Sequence, residues 1–298
     1  MIANILTANF NITVIKFLQQ FSNPYLDKLA ELVTMTGEQY FSIAIMVIIY
    51  LCVNKKLAYR LGFASLFSNS INNLVKGIFK VPRPIGTKGV RSLRLETAGG
   101  YSFPSGHTQN ATVLWTNFMK NLKKKWIYIL GSIMIVAVAL SRLYLGVHRP
   151  VDVIGGFILG TLSMLIVNKV LDFEKSSGSI LVLLILIIPM VIITLINGSS
   201  DLYKQLGAAL GFFIGYFIES RFIDFKESAT VVHNVIKILL AATGALFVEL
   251  ILKAILPHGH FFSVIRYTIM LLWVTVGIPY LVDKFKLYKE EKYFNNYV

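Results

Sequence analysis

The chain has 298 residues, 55% of them hydrophobic and 15% charged, with a formal net charge of +14. Soluble domains carry about 25% charged residues, so this composition excludes an ordinary soluble globular protein and points to a polytopic membrane protein. The basic residues fall between apolar runs, which suits cytoplasmic loops and anionic lipid and speaks against a nucleic-acid partner, and the single cysteine, Cys52, excludes an intrachain disulfide framework.

In chain order, residues 1–35 come first. Phe10, Val14, Phe17, Leu18 and Phe21 recur at helical spacing with Asn11, Thr13, Lys16 and Gln20 between them, which predicts interfacial helices broken at Asn23-Pro24. A soluble N-terminal cap is the alternative. Residues 1–22 lack a basic start followed by a clean apolar run, so no cleaved signal peptide is expected. Nine apolar segments follow, near 38–54, 58–79, 107–121, 126–146, 151–170, 179–197, 203–220, 233–256 and 261–283. Roughly 20 residues cross a hydrocarbon core, and the third segment is the weakest, short and polar on one face.

Loop charge sets the orientation. Lys55, Lys56 and Arg60 follow the first segment and Lys120, Lys123, Lys124 and Lys125 the third. Arg221 and Lys226 follow the seventh, and Lys284, Lys286, Lys289 and Lys292 the ninth. Alternate loops rich in Lys and Arg are cytoplasmic, so the N-terminus is expected outside and the C-terminus inside. Loop 80–106 is basic yet on the outer side, which gives its cations another job.

Three groups of residues stand at span borders. Lys76, Lys80, Arg83 and Pro84 close the second span; Pro104-Ser105-Gly106-His107 opens the third; Ser141, Arg142, His148, Pro150 and Asp152 lie between the fourth and fifth. Two spans separate the second group from the third, so the groups share one face of the membrane. A helix start presents free N–H groups and the positive end of the helix dipole to an anion. A cation at a helix end normally snorkels to the headgroups, but Lys76, Arg83 and Arg142 converging on one place repel unless an anion neutralises them, and Arg presents a donor fork matched to phosphate oxygens. Pro150 favours the first helical turn, which puts His148 at the helix mouth and Asp152 one turn in, where a carboxylate can hold one imidazole nitrogen and free the other. His107, His148 and Asp152 could instead ligate zinc, against which the nearby cations argue.

In order and spacing these residues resemble the three signature motifs of the type-2 phosphatidic acid phosphatase superfamily. The resemblance covers about residues 36–172, and the family's six-helix core extends to about 197. It implies a six-span phosphatase core over 36–197; together with the periodicity of residues 1–35 (interfacial helices) and the apolar segments of 198–298 (a three-span extension that the motifs do not assign), the expected fold is an all-α polytopic membrane protein. It further implies that His148 takes the phosphoryl group as phosphohistidine, Asp152 orients it and His107 protonates the leaving oxygen. On the same resemblance Lys76, Arg83, Ser105, Gly106 and Arg142 would hold the phosphate, with neither metal nor other cofactor required. Vanadate-dependent haloperoxidases share the motifs but are soluble, which the apolar spans oppose.

The expected activity is hydrolysis of a lipid phosphate or diphosphate at the outer face of the plasma membrane: undecaprenyl pyrophosphate, phosphatidylglycerophosphate or phosphatidic acid. A lipid-phosphate transporter or scramblase that only binds in the cationic cleft is the rival, to which Glu219 and Glu249 in apolar spans lend support, although Glu249 can pair with Lys253 one turn on. Gly207, Gly211 and Gly215, four apart, suit close helix packing within the subunit or a homo-oligomer face. His258 and His260 are a weak metal signal, and Trp115, Trp126 and Trp273 are candidate interfacial anchors.

Overall fold

The Asn23-Pro24 break is a helix start. Asn23 Oδ1 accepts the N–H groups of Tyr25 and Leu26, each at 3.0 Å, and Pro24 fills a position that needs no N–H. The computed structural model describes residues 9–289; residues 1–8 and Lys292 lie outside them. Every regular element among the described residues is helical. In order they are α1 (Asn9–Gln19), α2 (Pro24–Met35), α3 (Gln39–Cys52), α4 (Lys55–Phe79), α5 (Gly106–Leu122) and α6 (Lys125–Tyr144). Then come α7 (Pro150–Ser177), α8 (Leu184–Asn197), α9 (Ser200–Ile218), α10 (Val231–Ile255), α11 (His260–Leu272) and α12 (Ile278–Lys284). Pi-helical turns extend α9 over Glu219–Ile223 and join α11 to α12 over Trp273–Gly277.

The protein is a multi-pass membrane protein. Six helical stretches are long and apolar enough to cross a bilayer: α6, α7, Ile180–Asn197, Ser200–Ile223, α10 and His260–Lys284. The α2–α3 pair, bent by 50°, makes a seventh if taken as one span. Helices occupy all nine expected places, but α4 and α5 fall short of that apolarity, and packing explains why. Their polar side chains face one another inside the bundle: Gln109 donates to the Ser68 backbone oxygen and Oγ, both at 2.7 Å, and Asn72 donates to Gln109 Oε1 at 2.7 Å. Below them Asn168 of α7 donates to Asn117 of α5 at 2.8 Å, and Arg60 of α4 reaches Asn168 and Asp172. The apolar side chains point outward instead: Ile154, Phe157, Ile158, Leu162, Leu165 and Ile166 line one exposed face of α7. A polar interior within an apolar rim is the pattern of a bundle whose solvent is lipid.

The described residues form two compact units, divided at Ile45/Met46, Tyr59/Arg60 and Leu202/Tyr203. In the first, α1 and α2 pack on α6, and α5 packs on α6 and α7. Residues 24–35 thus pack on the bundle by one face and leave Tyr25, Leu29 and Leu32 exposed on the other. Gly156 makes the α5–α7 contact close, since a Cβ there would lie 2.5 Å from the Ser105 carbonyl oxygen.

In the second unit Lys55, expected in a solvated loop, is buried. Its Nζ contacts Glu219 Oε1 and Asp224 Oδ1, each at 2.7 Å, and donates to the Phe225 carbonyl at 2.8 Å. Tyr59 also donates to Glu219, at 3.1 Å. Glu219 is therefore a paired carboxylate. Among the ion pairs of the described residues, Glu249 and Lys253 do not form one, which corrects that expectation. Trp273 is no interfacial anchor: its Nε1 donates to the Leu240 carbonyl at 3.2 Å and its ring fills the space beside Gly244. The glycine period packs within the subunit, against the chain's own α11 and the turn after it. Added Cβ atoms at Gly207, Gly211 and Gly215 would strike Val264, Thr268 and Thr275. Gly211→Val should cost about 1–3 kcal/mol by overpacking, read as a lowered melting temperature in detergent. A loss of oligomer with unchanged melting would instead return this face to a partner.

Candidate active site

Lys76 lies in the last turn of α4, and the loop after it folds back over the bundle end. Ser102 N–H donates to the Val81 carbonyl at 2.8 Å and Leu93 N–H to the Leu145 carbonyl at 3.0 Å. Arg83 anchors the same loop through Nε to Gly100 O at 3.1 Å and Nη2 to Gly99 O at 2.8 Å. That leaves Nη1 to donate to the Val147 carbonyl and to His148 Nε2, each at 3.0 Å.

This last contact assigns the histidine tautomer. A guanidinium only donates, so Nε2 is the accepting, unprotonated nitrogen and the ring proton sits on Nδ1. His148 Nδ1 faces Asp152 Oδ2 at 3.3 Å. The same carboxylate oxygen accepts from Arg149 N–H at 2.7 Å and from the Ser102 hydroxyl. His148, Asp152 and Ser102 are all at most 1% exposed. Burial first, and then the charges of Arg83, Arg142 and Lys76, hold the His148 imidazole well below its usual range. The ring is neutral, with its lone pair on Nε2. Arg83, lowered by burial to about 10, stays charged at neutral pH.

The second motif is placed by the third. Ser105 N–H donates to the Asp152 carbonyl at 2.9 Å, and the Ser105 hydroxyl caps α5 by accepting from Thr108. A Cβ at Gly106 would lie 3.8 Å from Lys76 Nζ, so the α5 start faces that lysine. His107 lies within electrostatic reach of Arg142, His148, Lys76 and Arg83. Arg142, in the last turn of α6, is wholly buried; its Nη1 donates to Thr34 Oγ1 at 3.1 Å and Thr97 Oγ1 at 3.4 Å. Among the described residues nothing partners Arg142 Nε and Nη2 or His107 Nε2, although all are buried. Buried donors without acceptors beside three cations suit a tetrahedral oxyanion.

All eight residues singled out by sequence, Lys76, Arg83, Ser105, Gly106, His107, Arg142, His148 and Asp152, thus meet at one end of the bundle. No group of three or more His, Cys, Asp or Glu residues placed to hold a metal occurs among the described residues. Ser102, Arg149 and Thr34 were not picked out. Ser102 stands inside the motif stretch, and Arg149 directly follows His148 and donates to the Pro82 carbonyl at 2.6 Å. Thr34 carries no sequence signal.

A family described as the PAP2 superfamily matches residues 57–176, and one described as the PAP2 superfamily phosphatase transmembrane extension matches residues 203–290. Among curated relatives, an undecaprenyl-diphosphatase of Sulfolobus acidocaldarius is 28% identical over 158 residues, 51% of this chain and 74% of that protein. Phosphatidylglycerophosphatase B of Bacillus subtilis is 42% identical over 77 residues, 23% of this chain and 38% of its own length. The crystal structure of LpxE from Aquifex aeolicus shares the fold, with a TM-score of 0.51 at 23% identity over 55% of this chain and 98% of that one.

Proposed function

The chain belongs to the PAP2 superfamily of phosphatases, and on that premise we propose that it hydrolyses a phosphate monoester or diphosphate of an amphiphilic lipid through a phosphohistidine on His148. The carrying observation is the His148 tautomer: Nε2 bears the lone pair 3.0 Å from Arg83, and Asp152 stands behind Nδ1. Attack of Nε2 on phosphorus expels the lipid oxygen, which takes a proton from His107; water then cleaves the N–P bond. Lys76, Arg83, Arg142 and the α5 N-terminus at Ser105 and Gly106 stabilise the equatorial oxygens, where most phosphoryl-transfer catalysis resides. His107, within electrostatic reach of His148, divides the acid role from the nucleophile.

Arg142 ends one apolar helix and His148 precedes another, which suits a headgroup in water with its tail in the bilayer. Undecaprenyl pyrophosphate is favoured, with phosphatidylglycerophosphate and phosphatidic acid next; the names of the two bacterial and archaeal relatives support that range. The distribution of Lys and Arg supports a plasma-membrane protein with this site outside and the C-terminus in the cytoplasm. Pairing of Glu219 with Lys55 takes away the main support for a carrier. Phosphate release by the purified protein against these lipids tests the reading, and binding of all without release from any would return the carrier.

The pH dependence follows from the depressed His148. A lowered folded value keeps the ring neutral and nucleophilic at every pH above it, and attack is lost only far below pH 6.5. The pH profile of kcat/KM should therefore show no loss on acidification from pH 7 to 6 that comes from His148. Any limb there should move with the substrate's own second ionisation, near 6. A limb near 6.5 common to substrates of different phosphate acidity would contradict this.

A further inference from the structure

Arg142 has five N–H donors and no carboxylate bonded to it among the described residues. Its nearest partner is a neutral hydroxyl, Thr34 Oγ1 at 3.1 Å, from a helix outside all three motifs. Thr34 is wholly buried on α2, which packs along α6. A hydroxyl orients a guanidinium without cancelling its charge, whereas a carboxylate would spend that charge before substrate arrived. Three residues on, the same stretch meets the second motif. A Cβ at Gly37 would lie 2.8 Å from the His107 carbonyl oxygen and 2.8 Å from Val138 Cγ1, and Asn110 donates to Gly37 O at 3.3 Å. The next residue, Glu38, pairs with Arg94. One turn of chain at the α2–α3 bend therefore backs both Arg142 and His107.

We propose that Thr34 is a positioning residue for the phosphate-binding arginine: by holding Nη1, it sets Arg142 so that Nε and Nη2 meet the substrate's oxygens. This rests on the proposed function, because it requires the pocket to take a tetrahedral oxyanion. Without the hydroxyl, Arg142 Nη1 keeps only the longer bond to Thr97 Oγ1 at 3.4 Å, and the long side chain turns toward another acceptor.

The test uses the full-length protein in detergent, orthovanadate as the probe and phosphate release as the second readout. Thr34→Val keeps the side-chain shape and removes the hydroxyl. It should weaken vanadate inhibition and lower kcat/KM by about tenfold, as loss of a bond to a charged group does, and Thr34→Ser should restore both. In an Arg142→Met background Thr34→Val should have no further effect. Should Thr34→Val fail to fold, Thr34→Cys, with a weaker acceptor of similar size, is read in the same way. An unchanged vanadate constant in the folded variant, even with a lowered melting temperature, would overturn the role of Thr34 alone. The same holds for an equal loss in the Arg142→Met background. A wild-type protein indifferent to vanadate would overturn the anion pocket and this inference with it.

Discussion

His148→Ala is expected to lower phosphate release by about 10⁴-fold or more, while the protein still binds its lipid. Removing a nucleophile forfeits the covalent route, and the remaining groups of a catalytic unit recover little of it. Binding should persist because the cations proposed to hold the phosphate are separate residues. Arg83, which donates to His148 Nε2 at 3.0 Å, is held independently by the carbonyls of Val147, Gly99 and Gly100. Single-turnover phosphate release and equilibrium lipid binding, measured on the same preparation, separate the two effects. Loss of both together would make His148 a structural residue.

Arg142→Met should lower kcat/KM by about 10²–10³-fold, the scale of removing one preorganised donor from a transition-state cradle. Its melting temperature, however, should not fall. Arg142 is fully buried among like charges, with Nε and Nη2 unpartnered among the described residues. Exchanging a buried, incompletely paired cation for an apolar side chain of similar length is neutral or stabilising. Function and stability thus pull in opposite directions at this position, as they do where a site is organised for its ligand at the expense of the fold. Melting by circular dichroism together with kcat/KM checks both halves. Equal loss of activity and stability would mean that Arg142 is a structural link between α2 and α6 and not an anion ligand.

The residues of the candidate site were legible in the sequence because the proposed chemistry needs short, regular spacings. Pro104-Ser105-Gly106-His107 must open a helix, and His148 and Asp152 must stand four apart across a helix start. The α6 and α7 spans were legible from their apolar runs. What escaped was whatever depends on distant pairing. Thr34 and Arg142 are 108 residues apart, Lys55 and Glu219 164 apart, and nothing in either local pattern signals the other. Lys55 reads as a loop cation because a lysine after an apolar run usually is one; only the fold brings carboxylates to it. Ser102 was in view but unmarked, since a serine two residues before a proline reads first as turn chemistry. The polar faces of α4 and α5 blurred the span count for the same physical reason that places them inside: they bond to one another within the bundle, where lipid does not reach them.

The most direct measurement is a rapid quench of purified protein with radiolabelled lipid phosphate, followed by peptide mapping of the trapped enzyme. The predicted result is an acid-labile, alkali-stable phosphoryl group on the peptide carrying His148, formed and lost at rates compatible with turnover. Turnover with no phosphoenzyme under conditions that slow hydrolysis, or label on any other residue, would contradict an imidazole nucleophile at this site.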